Sequence, residues 1–556
     1  MQNTRPSRLF RLMPSLTDVV FLMPVIFLFL RMDGAPTMLE GDTGWHLRTG
    51  QWILSNGAVP HHDMFSFTRP GEPWFAWEWL WDVVFGSLYT YGGMTLVVWV
   101  SLLLICLTSA LLFRLTQRFC SNLFLAAGVS LLAVALTSLH WLARPHLVTM
   151  LLTVVSLWVI EWHRAGERRL LWTLPLLTLP WVNMHGGFFV LYLLLASYLA
   201  GELISAIFAV APEARAEHLR AMKPYGLTLI ASVAASFANP YTYHLHQHIL
   251  RYLGDPNSPF FRFVGEWQSI SFHSPVGGYL EILIVLMVAA GVQHIRKGRF
   301  AYPVLMAGWM HLALMSARNI PLFALVSAPF VAWGILEALQ EIGGARVPAW
   351  YDASRRFLGE IEEEFGAIDR MPRLHLVSAA LFAFLLAAMY NPAAPERFRA
   401  EFPLKKYPRA LLDKMPAAEF TANVFTVDEW GDYLIYRHPE TVKVYVDGRF
   451  DFYGAKHTQQ YLDVLNAKHD WEKSLATHNV RTVLLPVDVP LASVLKESGR
   501  WTPVYDDGVS ILFHSRQLLA QRRQEQVSVA STAPGSGSEI ATSPDAGEVL
   551  ASSPNL

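Results

Sequence analysis

Gly93-Met-Thr-Leu-Val-Val-Trp-Val-Ser-Leu-Leu-Leu-Ile-Cys-Leu-Thr-Ser-Ala-Leu-Leu-Phe113 runs for 21 residues without a charge. As a helix, a run of about 20 residues covers the roughly 30 Å hydrocarbon core of a bilayer with every backbone polar group bonded internally. Comparable apolar runs recur near residues 17–32, 123–141, 146–162, 169–183, 187–210, 225–238, 277–293, 300–316, 320–338 and 374–390. The reading is a mainly α, polytopic membrane domain of about eleven spans. Composition agrees, because only 16% of the 556 residues are charged and 53% are hydrophobic, against about 25% charged in soluble domains. The 44 Lys and Arg balance the 45 Asp and Glu, so no overall field argues for a nucleic-acid partner. Cys106 and Cys120 have no metal or disulfide spacing.

Loop charges orient the chain. Arg114 and Arg118, then Arg164, Arg168 and Arg169, then Arg215, Arg220 and Lys223, then Arg296, Lys297 and Arg299, then Arg346, Arg355 and Arg356 fall in alternate loops on the side of the N-terminus. By the positive-inside rule that side is cytoplasmic, and an odd span count puts the C-terminal part outside. Residues 1–16 are then a cytoplasmic N-terminus, with no cleavage site after the first run to make it a signal peptide. Residues 17–390 form the membrane domain, with a long outer loop at 33–92. Within that loop Trp74-Phe-Ala-Trp-Glu-Trp-Leu-Trp81 reads as an amphipathic interfacial helix. Residues 341–372 read as a cytoplasmic interfacial segment. Residues 391–519 read as a small extracytoplasmic α/β domain with strands at Val424–Val427, Val442–Val446, Thr482–Leu485 and Val509–Phe513. From 520 to 556 the chain is rich in Ser, Ala, Pro and Gly, and disorder is expected.

Unusual polar residues gather at the outer ends of the runs. They are Glu40, Asp42, His46 and Arg48, then His61, His62 and Asp63, Arg144 and His146, Asn183 and His185, Asn239, His244, His246 and His248, Glu266, and Arg318 with Asn319. Ionisable groups beside a bilayer are costly and face a cavity or a path, so a polar chamber at the outer face is expected. His244, His246 and His248 would share one face of a strand and could hold zinc. The helical reading of Ile249–Leu253 removes that convergence. No P-loop, GxGxxG, GxSxG or HExxH pattern is present.

Glu40-Gly-Asp42, directly after the first run, resembles the acidic first-loop motif of GT-C superfamily glycosyltransferases, which use polyprenyl-phosphate sugars. Gly41-Asp-Thr-Gly-Trp-His-Leu-Arg-Thr-Gly50, Ala143-Arg-Pro-His146, Trp181-Val-Asn-Met-His-Gly-Gly187, Ser316-Ala-Arg-Asn-Ile-Pro321 and Val446-Asp-Gly-Arg449 extend the likeness across residues 15–515. The resemblance implies an inverting transfer of a sugar from a polyprenyl-phosphate carrier to an acceptor, at the outer face of a bacterial cytoplasmic membrane. Membrane lipids surround it, and the acceptor is unspecified. Asp42 is then the base, with Glu40 and His46 beside it. Arg144 and Arg318 grip the phosphate through paired hydrogen bonds. Arg48, His146, Asn183, His185, Glu266 and Asn319 line the substrate site. A magnesium or manganese ion would take oxygen ligands from Glu40 and Asp42. Each residue also has a plainer reading: Asp42 as a helix cap, the arginines snorkelling to head groups, the histidines as satisfied structural groups. A lipid-linked-substrate flippase and a non-catalytic envelope-assembly protein are the alternative functions.

Overall fold

A computed structural model describes residues 11–532, apart from 168–169, 255–260, 262–263, 344–358, 361, 363, 370 and 421–422. Arg346, Arg355, Arg356 and most of the interfacial segment expected over 341–372 lie outside the described residues, as do residues 533–556.

The eleven apolar runs all fall in helices. In chain order these are α1 (Leu16–Arg31), α3 (Trp79–Phe119), α4 (Leu123–Thr137), α5 (His146–Arg164), α6 (Thr173–Met184), α7 (Phe189–Phe208), α8 (Pro212–Ala235), α10 (Pro275–Arg296), α11 (Ala301–Met315), α12 (Ile320–Gly343) and α13 (Leu376–Tyr390). Further helices outside the apolar runs include α2 (Gly41–Asn56) and α9 (Tyr243–Gly254). Among the described residues six helices are long and apolar enough to cross a membrane, and three shorter ones are apolar. The chain is a multi-pass membrane protein. Large apolar side chains face outward along the helices: Leu30, Ile230 and Phe384 are 70%, 68% and 71% exposed, as suits a surface facing lipid rather than water. Hydroxyls inside α3 are satisfied by the preceding turn, with Ser101 Oγ donating to Val97 O at 2.8 Å and Thr116 Oγ1 to Leu112 O at 2.9 Å.

Helix α3 is longer than its apolar run because it carries an extra segment ahead of Gly93, whose φ of 63° and ψ of −168° bend the helix. The interfacial helix expected over Trp74–Trp81 is not formed. Residues 74–76 carry no regular secondary structure, helix begins at Trp79, and Trp74 and Trp81 are buried. Their rings fill the space between the outer loop and its neighbours instead of lying on a lipid surface.

The C-terminal unit carries four strands, β1 (Val424–Thr426), β2 (Thr482–Pro486), β3 (Trp501–Asp506) and β4 (Ser510–Ser515), in the order β1-β2-β4-β3. β1 runs parallel to β2, and the other pairs are antiparallel. Helices α14 (Asp428–Arg437), α15 (Phe450–Leu465), α16 (Trp471–Thr477), α17 (Pro490–Glu497) and α18 (Arg516–Thr532) belong to the same unit, which also has a short helical stretch at Arg409–Lys414. The strand expected at Val442–Val446 is reduced to bridges from Val444 to Val424 and to Ser66. Val444 thereby stitches the outer loop to the sheet edge, with Phe67 N donating to Val444 O and Val444 N to Phe65 O, both at 3.1 Å. Helix α18 carries regular structure past residue 520, where disorder was expected. Leu518 is buried and Arg522 pairs with Glu419, which holds its first turns down.

A buried ion cluster fastens the same seam. Arg449 Nη2 lies 2.6 Å from Asp63 Oδ1 of the outer loop and 2.7 Å from Asp447 Oδ2, and its Nε lies 2.8 Å from Asp447 Oδ1. Phe65, Trp74 and Phe452 surround the guanidinium. Removing one partner from such a cluster strands the other charges in low dielectric. Arg449→Ala is therefore expected to cost about 3–5 kcal/mol, read as a lower melting temperature and faster proteolysis of the outer loop. An unchanged melting curve would show that the seam is held elsewhere.

Candidate functional site

Helix α2 is set by glycines on two sides. A Cβ on Gly50 would stand 1.8 Å from the Asp82 carbonyl oxygen, and one on Gly86 would stand 2.8 Å from the Gly50 carbonyl carbon. The backbones of α2 and α3 therefore touch. On another face, a Cβ on Gly44 would meet the Asp432 carbonyl oxygen at 2.5 Å, and one on Gly41 the Asp432 carboxylate at 2.8 Å, so α14 touches α2 as closely. Asp42 and His46, one turn apart, are held between the two.

Glu40 is the residue flanking the start of α2, and neither it nor Asp42 makes a side-chain cap bond. Asp42 Oδ1 instead accepts from Trp45 Nε1 at 3.2 Å, and its Oδ2 lies 2.6 Å from Arg144 Nη2. The cap reading of Asp42 is thus not realised. Arg144 Nε lies 2.8 Å from Glu40 Oε1 but off the N–H direction, an ion pair without a hydrogen bond. Arg144 Nη1 lies 3.6 Å from Glu266 Oε2, and Arg318 Nη1 donates to Glu266 Oε1 at 2.9 Å. One chain of charge, Glu40 and Asp42 to Arg144 to Glu266 to Arg318, crosses the site.

Of the short turns between helices, Ser138–His140, Gly186–Phe188, Gly265–Trp267 and Ala317–Asn319, the last two carry Glu266 and Arg318. Ser316 Oγ donates to Glu266 O at 2.9 Å and Ala317 N to Gln268 O at 2.9 Å, which ties two of the turns together. His146 Nε2 contacts His140 O at 2.7 Å, so its proton sits on Nε2. His185 Nδ1 accepts from Gly187 N at 3.1 Å and lies 2.7 Å from Thr149 Oγ1. Its Nε2 lies 3.4 Å from Arg318 Nη2. The apolar face of Arg318 rests on Trp267, with its guanidinium 5.0 Å from the ring centre.

These residues line a polar chamber of about 660 Å³ that includes Asp42, His46, Glu78, Asp82, Arg144, His146, His185, Arg318 and, from the C-terminal unit, Gly448, Arg449 and Asp451. A second cavity of about 1460 Å³ adjoins it, lined mainly by apolar side chains of α5, α7, α11 and α12, among them Met150, Val190, Leu193, Trp309, Leu312 and Leu322. Trp77, Glu78, His146, His185 and Arg318 belong to both. Asn319 faces the apolar cavity.

Of the residues singled out in the sequence, Glu40, Asp42, His46, Arg144, His146, His185, Glu266, Arg318 and Asn319 are brought together. Arg48 and Asn183 are not. Arg48 Nε donates to Tyr436 O at 2.9 Å and fastens α14 to α2 on the far side. Asn183 is spent on Trp79 Nε1 at 2.7 Å and on the Leu179 and Ala238 carbonyls. Glu78 and Asp82 were missed, because both sit in a tryptophan-rich stretch whose amphipathic pattern turned them toward water on paper.

Burial dominates the electrostatics. It pushes Glu40 up to about 7 and Glu78 up to about 8, and raises Asp42 despite Arg144. Glu266 is buried too, but Arg318 and Arg144 outweigh that and hold it at about 2. Burial keeps His46 and His185 well below the usual imidazole range, so both are neutral. As arranged, Glu40 and Asp42 do not fit a divalent cation. Arg144 stands against an oxygen of each, and among the described residues no three His, Cys, Asp or Glu side chains converge as a metal site.

Solved structures resemble most of the chain. The oligosaccharyltransferase of Archaeoglobus fulgidus in its apo form superposes with a TM-score of 0.51 at 10% identity, over 85% of this chain and 69% of that one. Oligosaccharyltransferase AglB of the same organism, in complex with an inhibitory peptide and a dolichol-phosphate, gives 0.52 at 12% identity over 90% and 74%. No family model matches the chain, and no curated protein matches it by sequence. At this identity the likeness is one of fold alone, the fold of these two oligosaccharyltransferase structures.

Gly448 closes the chamber. A Cβ there would stand 2.1 Å from Asp42 Oδ1 and 2.9 Å from Asp432 Oδ2, and Gly448 N donates to the Asp432 carboxylate at 3.0 Å. Gly448→Ala is therefore expected to lift residues 446–451 off Asp42. Hydrogen exchange should quicken there by roughly tenfold while the spans are unchanged; unaltered exchange at 446–451 would contradict the contact.

Proposed function

We propose that this chain transfers a sugar from a polyprenyl-phosphate carrier to an acceptor hydroxyl at the outer face of a cytoplasmic membrane, inverting the anomeric carbon. The observation that carries this reading is the junction of the two cavities. A lipid-linked sugar phosphate is an apolar tail joined through a phosphate to a polar sugar, and here an apolar groove meets a polar chamber with a guanidinium at the join. A flippase would need polar groups along a path to the other face, whereas this charge chain stays at one end of the helices.

Each residue then has a task. Arg318, shared by both cavities, meets the phosphate, with Arg144 beside it. The donor already holds a good leaving group, so the remaining need is a base for the acceptor hydroxyl. Asp42 is that base: burial raises its basicity, and Trp45 and Arg144 hold its oxygens in place. A single carboxylate in this role suits in-line displacement with inversion. His146, His185 and Asn319 line the route of the donor. We further propose eleven spans, a cytoplasmic N-terminus and an extracytoplasmic C-terminal unit, as the loop charges require.

Purified protein is to be incubated with a panel of polyprenyl-phosphate sugars and lipid or glycan acceptors. Asp42→Asn keeps size and most hydrogen bonding, so turnover should fall by roughly 100-fold or more with donor affinity little altered. Arg318→Ala should lose both donor binding and turnover. Near-normal transfer by Asp42→Asn would remove Asp42 from the role of base. Orientation is checked separately with a reporter active only outside the cytoplasm. Fusion after residue 515 should be active and fusion after residue 165 inactive; the reverse pattern would overturn the topology.

A further inference from the structure

The chamber is rich in negative charge for a site that must release a phosphate. Arg144 already faces Glu40, Asp42 and Glu266, and Arg318 faces Glu266. Arg449 is committed to Asp447 and Asp63. A carrier leaving as a doubly charged phosphate would have to share Arg318 and Arg144 with the carboxyls that already face them. Such a site needs a proton on the departing oxygen, and one group stands where it could supply it.

Glu78 lies at the junction, lining both the polar chamber and the apolar groove. It flanks the start of α3, yet its carboxyl makes no cap bond. Glu78 Oε2 stands 3.7 Å from His46 Nε2, and its Oε1 stands 3.8 Å from His185 Nε2. His46 Nδ1 lies 2.6 Å from Asp82 Oδ1. In the tautomer that gives its Nδ1–H to Asp82, His46 presents a lone pair at Nε2 toward Glu78. Asp42 is one turn away from His46 on α2 and shares its face.

We propose that Glu78 is the acid that protonates the departing carrier phosphate; this rests on the transferase reading above. The bond from the anomeric carbon to the phosphate oxygen breaks, and its electron pair stays on that oxygen. The Glu78 carboxyl gives this oxygen its proton. The acceptor oxygen bonds to the anomeric carbon, and its proton passes to Asp42. Products are the glycoside and the singly charged polyprenyl hydrogen phosphate, with Asp42 protonated and Glu78 ionised. Loss of the Asp42 proton to water and uptake of one by Glu78 from water reset both.

The groups facing Glu78 support this. Burial favours its neutral form, Asp42 and Asp451 act in the same direction, and Arg144 and Arg318 oppose them, leaving it at about 8. It therefore carries a proton at neutral pH, and His46 and His185 are neutral beside it. The phosphate's second ionisation, near 6 in water, is raised by the same carboxylates, which brings donor and acceptor of the proton closer in strength.

The test measures binding and turnover on the full chain in lipid. Binding of a polyprenyl phosphate without sugar should weaken in the wild type above about pH 8, by up to roughly tenfold for each pH unit. Glu78→Gln should lose this alkaline limb, and Glu78→Asp, which restores an acid on a shorter stem, should regain it. Transfer from a polyprenyl-phosphate sugar should fall by roughly 100-fold in Glu78→Gln. With a donor joined through diphosphate, whose leaving oxygen needs no proton, most of that loss should vanish. An alkaline limb that persists in Glu78→Gln, or an equal loss with both donors, overturns the proposal while leaving the transferase reading intact. A wild type that binds polyprenyl phosphate with the limb yet transfers no sugar overturns the transferase reading and, with it, the acid role in transfer.

Discussion

Backbone contact on both sides of helix α2 is the constraint from which the site follows. Three glycines at positions 41, 44 and 50 let one helix touch a membrane helix and a helix of the C-terminal unit at once. Any side chain there would force the helices apart by more than the van der Waals margin that interiors allow. Because α2 cannot slide or rotate between such neighbours, Asp42 and His46 are held on a common face beside Arg144 and Glu78. The two parts of the chain therefore build a single chamber, and the 446–451 loop forms part of its wall.

Charge in that chamber is arranged by burial more than by pairing. Glu266, gripped by two arginines, stays ionised, whereas Glu40 and Glu78 are pushed toward the neutral form. Carboxyls a few ångströms apart thus differ in state at one pH, which is the separation that acid and base roles require. The apolar groove contributes too, because it excludes water from one side of Arg318 and Glu78 and strengthens every interaction they make.

Much of this was legible in the chain. The apolar runs became helices, and the runs of residues around Asp42, Arg144, His185 and Arg318 did converge. The misreadings share a cause. Trp74–Trp81 has the alternation of an interfacial helix, but its rings pack inward against the outer loop. Val442–Val446 has strand composition, yet only Val444 finds a partner. Arg48 and Asn183 were placed in the site by their neighbours in sequence, and each is spent on a carbonyl or an indole elsewhere. Residues 520–532 were read as disordered on composition, whereas Leu518 and Arg522 anchor a helix.

What the sequence alone determined is what depends on local composition: which stretches cannot remain in water, where helices must end, and which end of the bundle gathers ionisable groups. These follow from transfer energies summed along the chain. Which carboxylates share an arginine, which is left protonated, and that a loop some 400 residues downstream closes over Asp42 were decided only by tertiary structure. Those outcomes depend on distances of a few ångströms between segments remote in sequence and on the water excluded from between them, and neither quantity is carried by any one segment.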